Sequence, residues 1–149
     1  NLNKNLMIDF FTKEEGDRII DAIRLAELRT SGEIRVHLEV DSRQKTFRDA
    51  IEIFAKLGMK QTKDRNGVLF LLVPERKEFS IYGDVGIHKI VPEGYWVDIV
   101  SHVEKQFRLG AFTDGICEGI QMVGEKLKIH FPYKKGDENE LPNQISYGQ

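Results

Sequence analysis

Five residues of this chain have the types that hold a hard cation or a phosphoryl group: Glu33, Asp64, Arg65, Asn66 and Asp84. Carboxylate and amide oxygens are the ligands a divalent ion such as Ca²⁺ or Mg²⁺ takes, about six to eight of them for Ca²⁺ and fewer, with retained water, for Mg²⁺. Arg65 adds the planar fork that grips a phosphate through two N–H groups. Glycines 32, 67, 83 and 86 stand beside these residues and leave the backbone bare there, which favours tight turns and exposed carbonyls. Such residues make one site only if the fold gathers them.

The elements that would do so are legible as hydrophobic periods. Thr12-Lys-Glu-Glu15 has capping-box spacing, so a helix starts there and carries Ile19, Ile20, Ile23 and Ala26 to a stop near Ser31-Gly32. In 33–40, Ile34, Val36, Leu38 and Val40 alternate with Glu33, Arg35, His37 and Glu39, which predicts a strand with one buried and one polar face. Phe47, Ala50, Ile51, Phe54 and Leu57 return to helical spacing, and Gly67-Val-Leu-Phe-Leu-Leu-Val73 is apolar throughout, as in a central strand covered on both faces. Strand, helix and buried strand make a right-handed parallel crossover. A short polar connection then leads into Glu78-Phe-Ser-Ile-Tyr82, a third strand expected to return antiparallel. Helices are predicted over 95–109, with Trp96, Ile99, Val103 and Phe107, and over 113–131, with Thr113 as its N-cap. The predicted fold is a small mixed sheet with helices on both faces, a three-layer Rossmann-like α/β sandwich. Residues 1–131 read as a single domain and 132–149 as a polar C-terminal tail, either an ordered strap or a frayed end.

Chain direction then supplies the gathering. The starts of the first and second strands and the end of the third fall at one edge of the sheet, which places Glu33, Asn66 and Asp84 there, with Asp64 on the approach. Neighbouring strands lie about 4.8 Å apart, so the three are within roughly 10 Å. A divalent-ion site built from Glu33, Asp64, Asn66 and Asp84 is one reading. The other is that Asn66-Gly67 and Gly83-Asp84 are turn residues that satisfy local amides. The opposite edge competes, because ligands of open α/β sheets sit outside the carboxyl ends of parallel strands, where Asp41, Ser42, Arg43 and Thr46 fall.

Composition narrows the classes. A chain of 149 residues with 40% hydrophobic and 31% charged residues is an ordinary globular domain. A net charge of −2 gives no field for nucleic acid, and no apolar run is long enough to insert in a membrane. A lone Cys117 forms no internal disulfide, so a cytoplasmic protein is expected; the absence of an initial Met is compatible with a trimmed leader. Phosphate loops, dinucleotide fingerprints, HExxH, CxxC and nucleophile elbows are absent.

The runs SGEIRVHLEV (31–40), RNGVLFLLV (65–73), FSIYGDVGI (79–87) and FRLGAFTDGICEGI (107–120) together resemble the TPM-domain family, which includes thylakoid-lumen acid-phosphatase-like proteins and photosystem II repair factors. The likeness extends over 10–131 and is to the short bacterial form, with its tail FPYKKGDENELPNQIS (131–146). It implies an α/β domain with a divalent-ion site in some members, weak acid phosphatase activity in some, and partnership with membrane complexes in others. Longer members carry an acidic residue before the first helix, for which only Asp9 is available here.

Three functions are thereby expected, in this order. The first is a Ca²⁺- or Mg²⁺-binding interaction or regulatory module, its partner a component of a membrane complex. The second is a metal-dependent acid phosphatase, with Asp84 or Asp64 as base or ligand and Arg65 on the phosphate. The third is a metal-free protein-binding scaffold that uses Tyr95 and Trp96.

Overall fold

The structure is a computed structural model and describes residues 10–39, 46–134 and 140–148. Helix α1 (Lys13–Glu27) starts on the capping box: the Glu15 N–H donates to Thr12 Oγ1 at 3.1 Å and the Thr12 N–H to Glu15 Oε1 at 3.0 Å. Strand β1 (Glu33–Leu38), helix α2 (Thr46–Lys56) and strand β2 (Gly67–Val73) form the parallel crossover, and β3 (Glu78–Gly83) returns antiparallel to β2. A single turn, α3 (Val85–His88), leads to α4 (Val97–Arg108) and α5 (Phe112–His130). The last strand, β4 (Ser146–Tyr147), lies parallel to β1, and the sheet order is β3-β2-β1-β4.

Alternation along the strands divides the core between two faces. Ile34, Val36, Val68, Phe70 and Leu72 pack with Ile19 and Ile23 of α1, Ile99, Val103 and Phe107 of α4, and Ile120 and Val123 of α5. Leu69 and Leu71 turn the other way, onto Ala50 and Phe54 of α2, Met59 and Leu141. Burial of β2 on both sides follows from its unbroken apolar run. No helix among the described residues is long and apolar enough to cross a membrane.

Three features differ from the sequence reading. The segment after 131 adds a strand, β4, to the sheet and a residue, Leu141 at 6% exposure, to the core, neither of which its sequence predicts. A strand of two residues is too short to show a period. Helix α5 opens at Phe112 with Ala111 in the N-cap position; the Thr113 hydroxyl instead donates to Glu15 Oε2 at 2.7 Å and ties α5 to the start of α1. Helix α4 begins at Val97, so Tyr95 and Trp96 belong to the loop before it.

Candidate functional site

Strand direction gathers the expected residues at one edge. Glu33 pairs with Gly67 in the parallel ladder, the Glu33 N–H donates to the Asn66 carbonyl at 3.3 Å, and the Asp84 N–H donates to the Gly67 carbonyl at 2.9 Å. Asp64 sits on the approach to β2, with its side chain exposed.

The acids at this edge are engaged separately. Glu33 is 2% exposed, and its Oε1 accepts the Glu140 N–H at 2.5 Å. Its carboxylate also meets the side chain of Glu27, the last residue of α1. Glu27 Oε2 accepts the Ile34 N–H at 3.0 Å, capping the β1 amide that β4 is too short to reach. Burial, then the hydrogen bond from Glu27 to Glu33, then repulsion between the two charges push the Glu27 carboxyl up to about 9. At neutral pH the two carboxyls therefore share a proton. Sequence reading passed over Glu27, because a glutamate in the last turn of an amphipathic helix looks like part of its solvated face.

Asn66 is 1% exposed. Its N–H donates to Thr62 Oγ1 at 3.1 Å and its Nδ2 to Ser31 Oγ at 3.4 Å, while its Oδ1 is buried with no hydrogen-bond partner. A buried amide oxygen left unpaired is costly and calls for a ligand, an ion or a water. Among the described residues no group of three or more His, Cys, Asp and Glu is arranged to hold a metal ion. The oxygens available at this edge are those of the Glu27 and Glu33 carboxylates and the unpartnered Asn66 Oδ1. That donor set is all oxygen, which suits a hard divalent cation rather than a thiophilic metal.

Asp84 lies elsewhere along the same edge and serves a different end. Arg65 Nε donates to its Oδ2 at 2.7 Å and Arg65 Nη2 to its Oδ1 at 2.9 Å, and Oδ1 also accepts the Val85 N–H at 2.7 Å. Arg65 reaches this position from a left-handed backbone, φ 49°, and the Gly86 N–H donates to its carbonyl at 2.9 Å. Gly67 stands between Glu33 and Asp84 in the row. A Cβ there would lie 3.2 Å from the Met59 carbonyl and 3.3 Å from the Phe54 ring, so α2 and the turn after it close down between the two acids.

A cleft of about 880 Å³ opens beside β3, walled by Ile81, Val85, Ile87, Tyr95, Trp96 and Val97. Trp96 is half-buried, packing partly on the core and partly facing this space. At the opposite sheet edge, Asp41, Ser42, Arg43 and the Thr46 side chain lie outside the described residues.

A mixed four-stranded sheet with helices on both faces and this glycine-lined strand-start edge defines an α/β domain of TPM type. A family model described as the TPM domain matches residues 7–126, and the chain belongs to that family. BA42 from the psychrophilic bacterium Bizionia argentinensis, solved by NMR, is 47% identical with a TM-score of 0.88, over 93% of this chain and 96% of that one. The N-terminal domain of a P. gingivalis protein, also solved by NMR, is 18% identical with a TM-score of 0.67, over 83% of this chain and 82% of its own. The N-terminal domain of cg2496 from Corynebacterium glutamicum is 13% identical, TM-score 0.61, over 78% and 74%. The last two likenesses are of fold. No curated protein matches the chain.

Proposed function

We propose that this TPM domain is a divalent-cation-binding interaction module, with Ca²⁺ or Mg²⁺ held at the starts of β1 and β2. The observation that carries the reading is the Glu27–Glu33 carboxyl pair, Glu33 buried and Glu27 half-buried, with Glu33 next in the ladder to an Asn66 whose side-chain oxygen has no partner. Two acids in contact, one buried and one half-buried, are stabilised by positive charge between them, and a proton supplies it at neutral pH. A divalent ion does it better where oxygens complete its shell. Glu27, Glu33 and Asn66 would hold the ion; Asp64 is near enough in sequence to contribute through water. Asp84 and Arg65 would act by fixing the 64–67 backbone rather than as ligands. The ion would brace the end of α1 against two strands and so set the shape of the docking surfaces around them. Melting the EDTA-treated protein with and without Ca²⁺ or Mg²⁺ tests this: a rise with either ion that Glu33→Gln removes supports it, and no rise with either ion refutes it.

A metal-dependent acid phosphatase is the second reading. It needs a cationic group free to hold phosphate, and the Arg65 fork is committed to Asp84. Aryl phosphate turnover that falls in both Glu33→Gln and Arg65→Ala would promote it above the first.

A further inference from the structure

The sheet order leaves β3 at an edge. Tyr82 pairs with Leu69 and Ser80 with Leu71, and the Asp84 N–H donates to the Gly67 carbonyl, so antiparallel alternation turns the N–H and C=O groups of Phe79, Ile81 and Gly83 away from β2. Among the described residues these groups have no hydrogen-bond partner. They form a ladder of donors and acceptors repeating at about 6.8 Å, the step of every second residue of a strand. Natural sheets blunt such edges with Lys, Pro, a bulge or a covering segment. The β3 sequence EFSIYG has no Lys or Pro, and its register with β2 runs without a bulge from Glu78 to Gly83.

This edge borders the apolar cleft. Ile81 and Gly83 line it together with Ile51 of α2 and Val97 of α4. Around it Ile51, Val85 and Val97 are 42%, 48% and 63% exposed, a concentration of large apolar side chains in water. The Tyr95–Trp96 pair, edge to face with centroids 4.7 Å apart, stiffens the loop that forms its far wall.

We propose that β3 and this cleft are a peptide-binding site, in which an extended segment of a partner polypeptide adds to the sheet as a further strand. Its main chain pairs with Phe79, Ile81 and Gly83, and its apolar side chains, at every second position, enter the cleft. Hydrogen-bond complementarity selects this occupant. An acyl chain offers no groups to the ladder, and a helix has already spent its main-chain groups within itself. In strand addition the main-chain bonds supply affinity and the pockets for alternate side chains supply selectivity. The inference rests on the reading of the domain as an interaction module and gives its partner a chemistry.

The test is amide NMR of the full chain with a synthetic eight-residue peptide of alternating valine and threonine, and with the same peptide N-methylated at the residues that face β3. Binding is expected to shift the amides of 79–83 and 95–97 saturably and to slow hydrogen exchange at Phe79, Ile81 and Gly83. N-methylation should weaken it by about tenfold or more, since the ladder is lost. Val97→Lys, at an exposed wall position, should weaken binding while leaving the melting temperature unchanged. Saturable shifts without slowed exchange would mean a ligand in the cleft but no added strand, and would overturn the proposal. Slowed exchange that grows with protein concentration in the absence of peptide would make the occupant a second copy, and would overturn it equally. So would no response to any peptide. A Ca²⁺ titration of the same sample reads cation binding separately, so an ion response without a peptide response removes strand addition alone.

Discussion

Arg65 and Asp84 form a two-point clasp across the ends of two strands, with Nε on Oδ2 at 2.7 Å and Nη2 on Oδ1 at 2.9 Å. Asp84 is 1% exposed, whereas the Arg65 side chain is 38% exposed. The carboxylate is thus the buried member and the arginine its shield from solvent. Asp84 also caps the turn that follows it, through the Val85 N–H. Asp84→Ala should therefore lower the unfolding free energy by about 2 kcal/mol, the range for a lost cap and lost hydrogen bonds to a charged group. Urea unfolding measures it; a loss near zero would mean that the clasp is dispensable.

The Glu27–Glu33 contact makes stability depend on pH with a definite sign. The Glu27 carboxyl is raised from 4.5 to about 9 in the folded chain, so the folded state keeps a proton that the unfolded state releases. The corresponding stability is complete below pH 4.5 and is lost as pH rises towards 9. Melting temperature in EDTA should fall across that interval, and Glu27→Gln, which retains an acceptor for the Ile34 N–H and can donate to Glu33, should flatten the decline. A wild-type profile that is level or rising across the interval would contradict the shared proton.

Gly86 packs against backbone. A Cβ there would collide with the Asp64 carbonyl and lie 2.6 Å from the Arg65 carbonyl, neither of which can rotate away. Gly86→Ala should cost about 2–3 kcal/mol or more, as overpacking against rigid groups does. Gly16, in α1, supplies the contrast, because a Cβ added there would meet nothing within 4 Å. Gly16→Ala should stabilise by about 0.5–1 kcal/mol through helix propensity. Chemical unfolding of the two variants side by side checks both signs.

Much of this arrangement could be read from residue order. The alternation in 33–38, the apolar run 67–73 and the returning strand 78–83 set strand direction, and direction alone places Glu33, Asn66 and Asp84 at one edge. What each side chain does there was not legible. Engagement of Arg65 with Asp84 depends on the positive φ of Arg65 and on the absence of a side chain at Gly86, and neither leaves a periodic trace. Glu27 reaches the site only because β4 stops short and leaves the Ile34 amide to be capped. Leu141 enters the core from a segment that is polar around it, where a single apolar residue carries no pattern. The cleft forms where the stretch 81–101 folds back on itself and meets Ile51 of α2, and the path of that irregular stretch leaves no periodic signal.

Cation binding should be linked to the same proton. Because the ion would displace the proton shared by Glu27 and Glu33, Ca²⁺ should stabilise the chain more at about pH 8.5 than at about pH 6, with proton release on binding. Binding in excess over Kd adds RT ln(1 + [L]/Kd), about 2.7 kcal/mol at a hundredfold excess. Calorimetric titration in two buffers of different ionisation enthalpy measures the released proton; binding with no pH dependence would place the ion away from this pair.

A Ca²⁺ titration of the EDTA-treated protein, followed by backbone amide NMR, bears most directly on the cation seat. Saturable shifts are expected, centred on Gly32, Glu33, Ile34, Asn66 and Gly67 and abolished in Glu33→Gln. Amides at those positions that stay fixed while Ca²⁺ saturates another region, or that do not move with Ca²⁺ or Mg²⁺ at any concentration, would contradict a divalent ion held at the starts of β1 and β2.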